Sequence, residues 1–136
     1  MPILNHLTGD RQDVSQFADL QGNLGMLAGF LLLTWTLAAV GEEIVYRGYL
    51  QTRITDILGP NLIGIVVAVG MSSVLFGLAH TEQGLIGVVV TFLDALFFSF
   101  LRLRYRTLWA PVLAHGFSNT LGLITFFLIG PIYGFW

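Results

Sequence analysis

Glu42 and Glu43 stand side by side directly after an apolar run from Leu24 to Val40, and Arg47 follows four residues after the second of them. A charge at the centre of a membrane-length helix costs at least ~2.5 kcal/mol even on lenient insertion scales, so such groups face a protein interior or a water-filled cavity. Glutamate before arginine at i, i+4 is the favourable order for an ion pair on one helix face, which gives Glu43 a local counter-charge. Glu42 is turned about 100° away on an α-helix and has none. The spacing predicts Glu43 and Arg47 as a supporting pair and Glu42 as the working group.

Two further pairs recur at helical spacing, Phe76 with His80 and His115 with Asn119. Each pair shares one helix face. At ~1.5 Å of rise per residue from one membrane face, Glu42 lies roughly 16–21 Å deep, His80 roughly 27 Å, His115 roughly 10 Å and Asn119 roughly 16 Å. Helix tilt absorbs that spread, so four polar side chains from three helices can share one central layer. Phe76 is read as packing that supports them.

The elements that must position these groups are apolar. The chain has 136 residues, 55% hydrophobic and 10% charged, with a mean hydropathy of +0.79. That composition belongs to membrane proteins and predicts an all-α, polytopic membrane helix bundle with about four transmembrane helices. Residues 1–23 read as a polar N-terminal arm without a signal-peptide pattern, and 24–136 as the transmembrane core. The first span runs from Leu24 to about Ile57, where Gly59-Pro60-Asn61 stops it. Leu62 to Ala79, Leu85 to Leu101 and Leu108 to Ile129 are the later spans, each near the ~20 residues that cross ~30 Å of hydrocarbon. Net charge is −2 and lysine is absent, which argues against a nucleic-acid surface. The lack of cysteine excludes disulfides, thiolate metal sites and a cysteine nucleophile. The 16 glycines point to close helix packing within the spans.

Arg53, Arg102, Arg104 and Arg106 flank the loops at 56–61 and 102–107, against Arg11 alone on the other side. The positive-inside rule then places those loops in the cytoplasm and both termini outside. The three arginines after the third span read as topology anchors and lipid-headgroup contacts. Trp35, Trp109, Tyr105 and Trp136 read as interfacial or packing residues.

Glu42-Glu43-x-x-x-Arg47, Phe76-x-x-x-His80 and His115-x-x-x-Asn119, in that order and each in its own apolar span, resemble the three motifs of the CPBP intramembrane endopeptidases. This is the group of CAAX prenyl proteases, bacteriocin-processing and abortive-infection-like proteins. The text Tyr46-Arg47-Gly48-Tyr49-Leu50, Leu75-Phe76-Gly77-Leu78-Ala79-His80 and Leu108-Trp109-Ala110-Pro111 is similar to that of bacterial members. The resemblance covers about residues 38 to 130. Full members carry further helices before the first motif, so it implies either a minimal member or a fragment.

The resemblance implies an integral protein of the bacterial inner membrane that hydrolyses a peptide bond in a membrane-associated or lipid-anchored protein or peptide. Glu42, assisted by His80, would activate water, and His115 with Asn119 would stabilise the oxyanion. Glu43, Arg47 and Phe76 would support them. A metal-dependent version would use Glu42, His80 and His115 to hold zinc, with one position open for water. The lack of HExxH spacing and the amide of Asn119, better suited to an oxyanion than to zinc, favour the metal-free version. Three other readings compete: an ion-coupled carrier relaying protons through Glu42, Asp94 and the histidines, a bis-histidine haem protein, and a non-enzymatic immunity protein or scaffold. No internal repeat of the kind carriers use is present. Asp94 either pairs with an arginine, lines the cavity or bonds a hydroxyl.

Overall fold

In the computed structural model, which describes residues 2–131, the first long helix starts where Asn23 caps it. The Asn23 Oδ1 accepts the Met26 amide at 3.0 Å, satisfying one of the donors that a helix N-terminus leaves open. The chain then stays helical for 35 residues, Leu24–Leu58, here α2, after a short N-terminal helix α1, Pro2–Thr8. Gly59 ends α2 at φ 91°, a left-handed conformation that glycine adopts without steric cost.

Asn61 caps α3, Leu62–Leu78, by accepting the Gly64 amide at 2.9 Å. A single 3-10 turn, Thr81–Gln83, leads into α4, Gly84–Tyr105. The last helix, α5, is Trp109–Ile129. Pro111 sits in its first turn, where a missing N–H breaks no intrahelical bond. Helix accounts for 83% of the structure with no strand among the described residues, as the apolar runs predict. Among the described residues, three helices (α2, the α4 segment and α5) are long and apolar enough to cross a membrane. The apolar helix α3 has 17 residues and spans roughly 25 Å, just short of the hydrocarbon thickness. Trp136 lies outside the described residues.

The polarity of the bundle is turned inside out relative to a water-soluble protein. Ile57, Leu62, Ile63, Leu121 and Leu128 are among its most exposed side chains, while Glu43, Arg47, Ser72, Ser73, Ser99 and His115 are buried. In hydrocarbon the outward leucines cost nothing, and the polar groups find partners only inside. Close approach of α3 and α4 depends on Gly77, where a Cβ would come within 2.9 Å of the Val88 carbonyl and 3.1 Å of the Phe92 Cβ.

The N-terminal segment folds back onto the bundle. Leu20 is fully buried in a cluster with Leu27, Leu123 and Phe126, and Val14 and Phe17 pack against it. The Asp13 amide donates to the Gln83 carbonyl at 3.0 Å and the Gly22 amide to the Phe127 carbonyl at 3.1 Å. Residues 12–22 thereby cover the end of the bundle that carries the α3–α4 turn. At the start of that cover, hydrogen bonds from Ser15 hold the Asp13 carboxyl below its usual range.

Gly77→Ala should lower the thermal stability of the purified protein by about 1–3 kcal/mol, because a backbone carbonyl cannot yield to the new methyl group. Gly70→Ala, with nothing within 4 Å of its new Cβ, should be neutral or slightly stabilising. Equal melting behaviour of the two variants would show that α3 and α4 do not meet as described.

Candidate active site

α2 is not a regular α-helix through the charged stretch. It winds as a π-helix over Thr34–Glu42 and again over Ile44–Leu50, and the Gln51 amide reaches back five residues to the Tyr46 carbonyl. π-turns are rare and concentrate at functional sites. The widened turn is braced from outside: the Ser72 hydroxyl of α3 donates to the Tyr46 carbonyl at 3.0 Å. The i, i+4 spacing predicts a regular α-helix here, and no residue in the stretch announces the change of winding.

Glu43 and Arg47 meet across one helix turn, Nη1 to Oε1 at 3.0 Å, with both side chains fully buried. The same Glu43 oxygen also accepts from His115 Nδ1 of α5 at 2.9 Å. The carboxylate therefore joins two helices 72 residues apart in sequence. The Arg47 guanidinium lies 4.5 Å from the Phe76 ring centroid and 5.4 Å from that of Phe98, an arrangement in which ring faces shield a buried cation.

Both imidazoles are held by the same ring atom. His115 gives its Nδ1 proton to Glu43, which as a carboxylate can only accept, and stacks on Phe98 with centroids 4.9 Å apart. His80, two residues past the end of α3 and capping the 3-10 turn, gives its Nδ1 proton to the Phe76 carbonyl at 2.8 Å. In each neutral ring, Nε2 is then the atom left with a lone pair for chemistry. Phe76 contacts both rings, at 4.7 Å from His80 and 6.0 Å from His115, and is 2% exposed.

Glu42, His80, His115 and Asn119 all line one cavity of about 490 Å³, within the size range of small-ligand and peptide pockets. Glu42 lies within electrostatic reach of both imidazoles, and its Oε2 is buried without a hydrogen-bond partner among the described residues. Asp94 lines the wall contributed by α4 together with Thr91 and Phe98, and His115, Arg47 and His80 are the titratable groups within electrostatic reach of it. Of the three options the sequence left for Asp94, the structure takes the cavity wall.

The cavity has contributors that the spans alone do not reveal. Gln12, Val14, Gln16 and Phe17 close part of it, and Gln83 stands at the same mouth, where its Oε1 accepts from Gln12 Nε2 at 2.9 Å. Ser118 lies beside Asn119 on the lining. Thr91, Asp94 and Phe98 carried a usable signal, since i, i+3, i+7 places them on one helix face. The arm residues carried no such signal.

Zinc chemistry asks whether these donors fit a metal. The held Nδ1 atoms would leave each Nε2 as a possible ligand. Among the described residues, however, no three His, Cys, Asp or Glu side chains come together closely enough to share one ion. The donor set as arranged does not fit a three-ligand metal centre.

Fold and cavity define a polytopic α-helical membrane protein with a charged chamber enclosed in an apolar shell. Residues 24–121 match the model of the Rce1-like type II CAAX prenyl endopeptidases. The chain belongs to that family, which is one of membrane-embedded proteases. No curated protein and no solved structure matches the chain.

Replacing Glu42 by Gln removes a carboxylate that has no ion-pair partner and should leave the melting temperature unchanged or higher. Replacing Glu43 by Gln strands the buried Arg47 charge and frees His115, and should cost about 3–5 kcal/mol. A differential melt in detergent micelles tests the contrast, and the reverse order would show that the two carboxyls are assigned to the wrong sides of α2.

Proposed function

We propose that the chain is an intramembrane endopeptidase that hydrolyses a peptide bond in a membrane-associated or lipid-anchored protein or peptide. The observation that carries this reading is the shared cavity, which gathers Glu42 of α2, His80 of the α3–α4 turn, and His115 and Asn119 of α5 with the Asp94 carboxyl among largely apolar side chains. Family membership supports hydrolysis as the chemistry.

Glu42 takes a proton from a water molecule, with His80 Nε2 holding that water in place. The hydroxide adds to the scissile carbonyl carbon and generates a tetrahedral oxyanion. The Asn119 side-chain amide and His115 Nε2 stabilise that charge. His115 can donate there only when its ring carries both protons, because Nδ1–H is already committed to Glu43. Glu42 then passes its proton to the leaving nitrogen as the C–N bond breaks, releasing a carboxylic acid and an amine. Glu43, held by Arg47, keeps the His115 ring oriented through this cycle. No step requires a metal.

The arginine-bearing ends of α2 and α4 face the cytoplasm in this reading, in a bacterial inner membrane, because the positive-inside bias counts four arginines there. The cavity then lies toward the opposite leaflet, beneath the segment 12–17. That placement suits a substrate whose cleavage site is presented from within the bilayer or from its outer face.

The test uses the full chain in lipid nanodiscs with a library of membrane-tethered peptides. Glu42→Ala and His80→Ala should each lower kcat by about 10²–10⁴-fold, and Asn119→Ala by about 10²–10³-fold, with melting temperatures near wild type. Cleavage that survives Glu42→Gln would overturn the assignment. Activity that a chelator abolishes and zinc restores would replace the water-activating glutamate with a metal-bound water.

A further inference from the structure

Arg47 separates the cavity just described from a second one. That second cavity, of about 440 Å³, runs from Arg47 outward past Gln51 and Thr52 of α2 to Arg102 and Arg106 at the end of α4. Three guanidinium groups therefore converge on it. Its one acidic residue, Asp56, is paired with Arg53 at 3.2 Å.

Several buried donors on this wall have no partner among the described residues. Arg47 is 1% exposed, spends one nitrogen on Glu43, and keeps Nε and Nη2 buried with no partner among the described residues. Arg102 Nε is buried and unpartnered in the same way. Buried polar groups are almost always hydrogen-bonded, so several unpaired guanidinium N–H groups around one space mark a missing acceptor. Gln51, 4% exposed, also lacks a partner for its carbonyl oxygen, and rotating that amide would present its NH2 to the same space.

Backbone strain points to the same place independently. Arg106 has φ 54° and is the one non-glycine residue with positive φ among the described residues. Its amide closes α4 on the Arg102 carbonyl at 2.9 Å, a helix ending at which glycine is the usual residue. A strained, non-glycine conformation that presents a cation to a cavity is what a binding site would retain.

We propose that this cavity binds a phosphate group, gripped by Arg102 and Arg106 at its mouth and by the free donors of Arg47 at its inner end. A phosphate offers several acceptor oxygens to planar guanidinium forks, which suits it better than a single carboxylate to three arginines. The mouth lies where two membrane helices end, at the level of lipid phosphates. The phosphate is supplied either by an anionic lipid headgroup or by a soluble phosphate. The site stands apart from the proteolysis reading, and its test is binding.

The full chain in maltoside micelles, which contain no phosphorus, is melted while intrinsic tryptophan fluorescence is followed. Inorganic phosphate, phosphatidylglycerol and diacylglycerol of the same acyl chains are titrated separately. A saturable rise in melting temperature with phosphatidylglycerol alone identifies a lipid ligand, and a rise with inorganic phosphate identifies a soluble one. In either case the R102Q/R106Q double variant should weaken apparent affinity about thirty-fold. R104Q, a change at an exposed arginine that does not line the cavity, should leave the affinity as it is. Arg106→Gly supplies the variant that must fold, since glycine relieves the positive φ. It should melt no lower than wild type without phosphate and still bind phosphate more weakly. No saturable rise with any phosphate probe, an equal rise with diacylglycerol, or wild-type affinity in R102Q/R106Q would each overturn the proposal.

Discussion

The Glu43 carboxylate is the joint on which the interior depends. It accepts from Arg47 on its own helix and from His115 on α5, and in hydrocarbon neither partner could stay charged or oriented without it. An ion pair this deep recovers its desolvation cost only when geometry is good and the remaining valences are used. Here the rings of Phe76 and Phe98 cover the guanidinium and His115 makes a second approach to Oε1, while Glu43 Oε2 and the Arg47 Nε and Nη2 stay unpartnered among the described residues. Arg47 thereby serves two cavities, neutralising the carboxylate that aims His115 into one and presenting its unspent donors to the other.

From that joint follows a division of labour between adjacent residues. Glu43 is tied into the structure through Oε1, with only its Oε2 unpartnered, while Glu42, one step along the backbone, makes no ion pair among the described residues. Such a difference between neighbours needs a helix that directs them to different surroundings. The π-winding of α2 rotates the chain less per residue than an α-helix, and the Tyr46 carbonyl, which accepts the Gln51 amide, also accepts the Ser72 hydroxyl. That winding sits beside the groups proposed to do chemistry, a common location for irregular backbone.

Membership in a membrane protease family fits a chamber built this way, since hydrolysis within a bilayer requires water, charge and an exclusion wall in one volume. The wall is made by apolar faces of α2, α4 and α5, and at one end by the folded-back segment 12–17. That closing segment relies on Phe17, packed edge-on against Phe30 at 5.4 Å and tilted against Phe126 at 5.8 Å. The aromatic contacts anchor it against the bundle end, where Gln12 and Gln16 line the cavity mouth.

The sequence by itself determined the class of fold, the helix boundaries to within a few residues and the i, i+4 meeting of Glu43 with Arg47, because hydropathy and helical period are local properties of the chain. It also placed Glu42, His80, His115 and Asn119 in spans whose depths allow a common layer. Only the tertiary structure decided that Glu43 holds His115, because that bond joins residues whose separation along the chain carries no periodic signal. The same holds for the arm: residues 1–23 are polar on average, yet Val14, Phe17 and Leu20 are packed inward, and an average cannot reveal three side chains that find a partner surface. The π-winding lay equally out of reach, since no local residue pattern marks it and the stretch that carries it packs against α3 and α5.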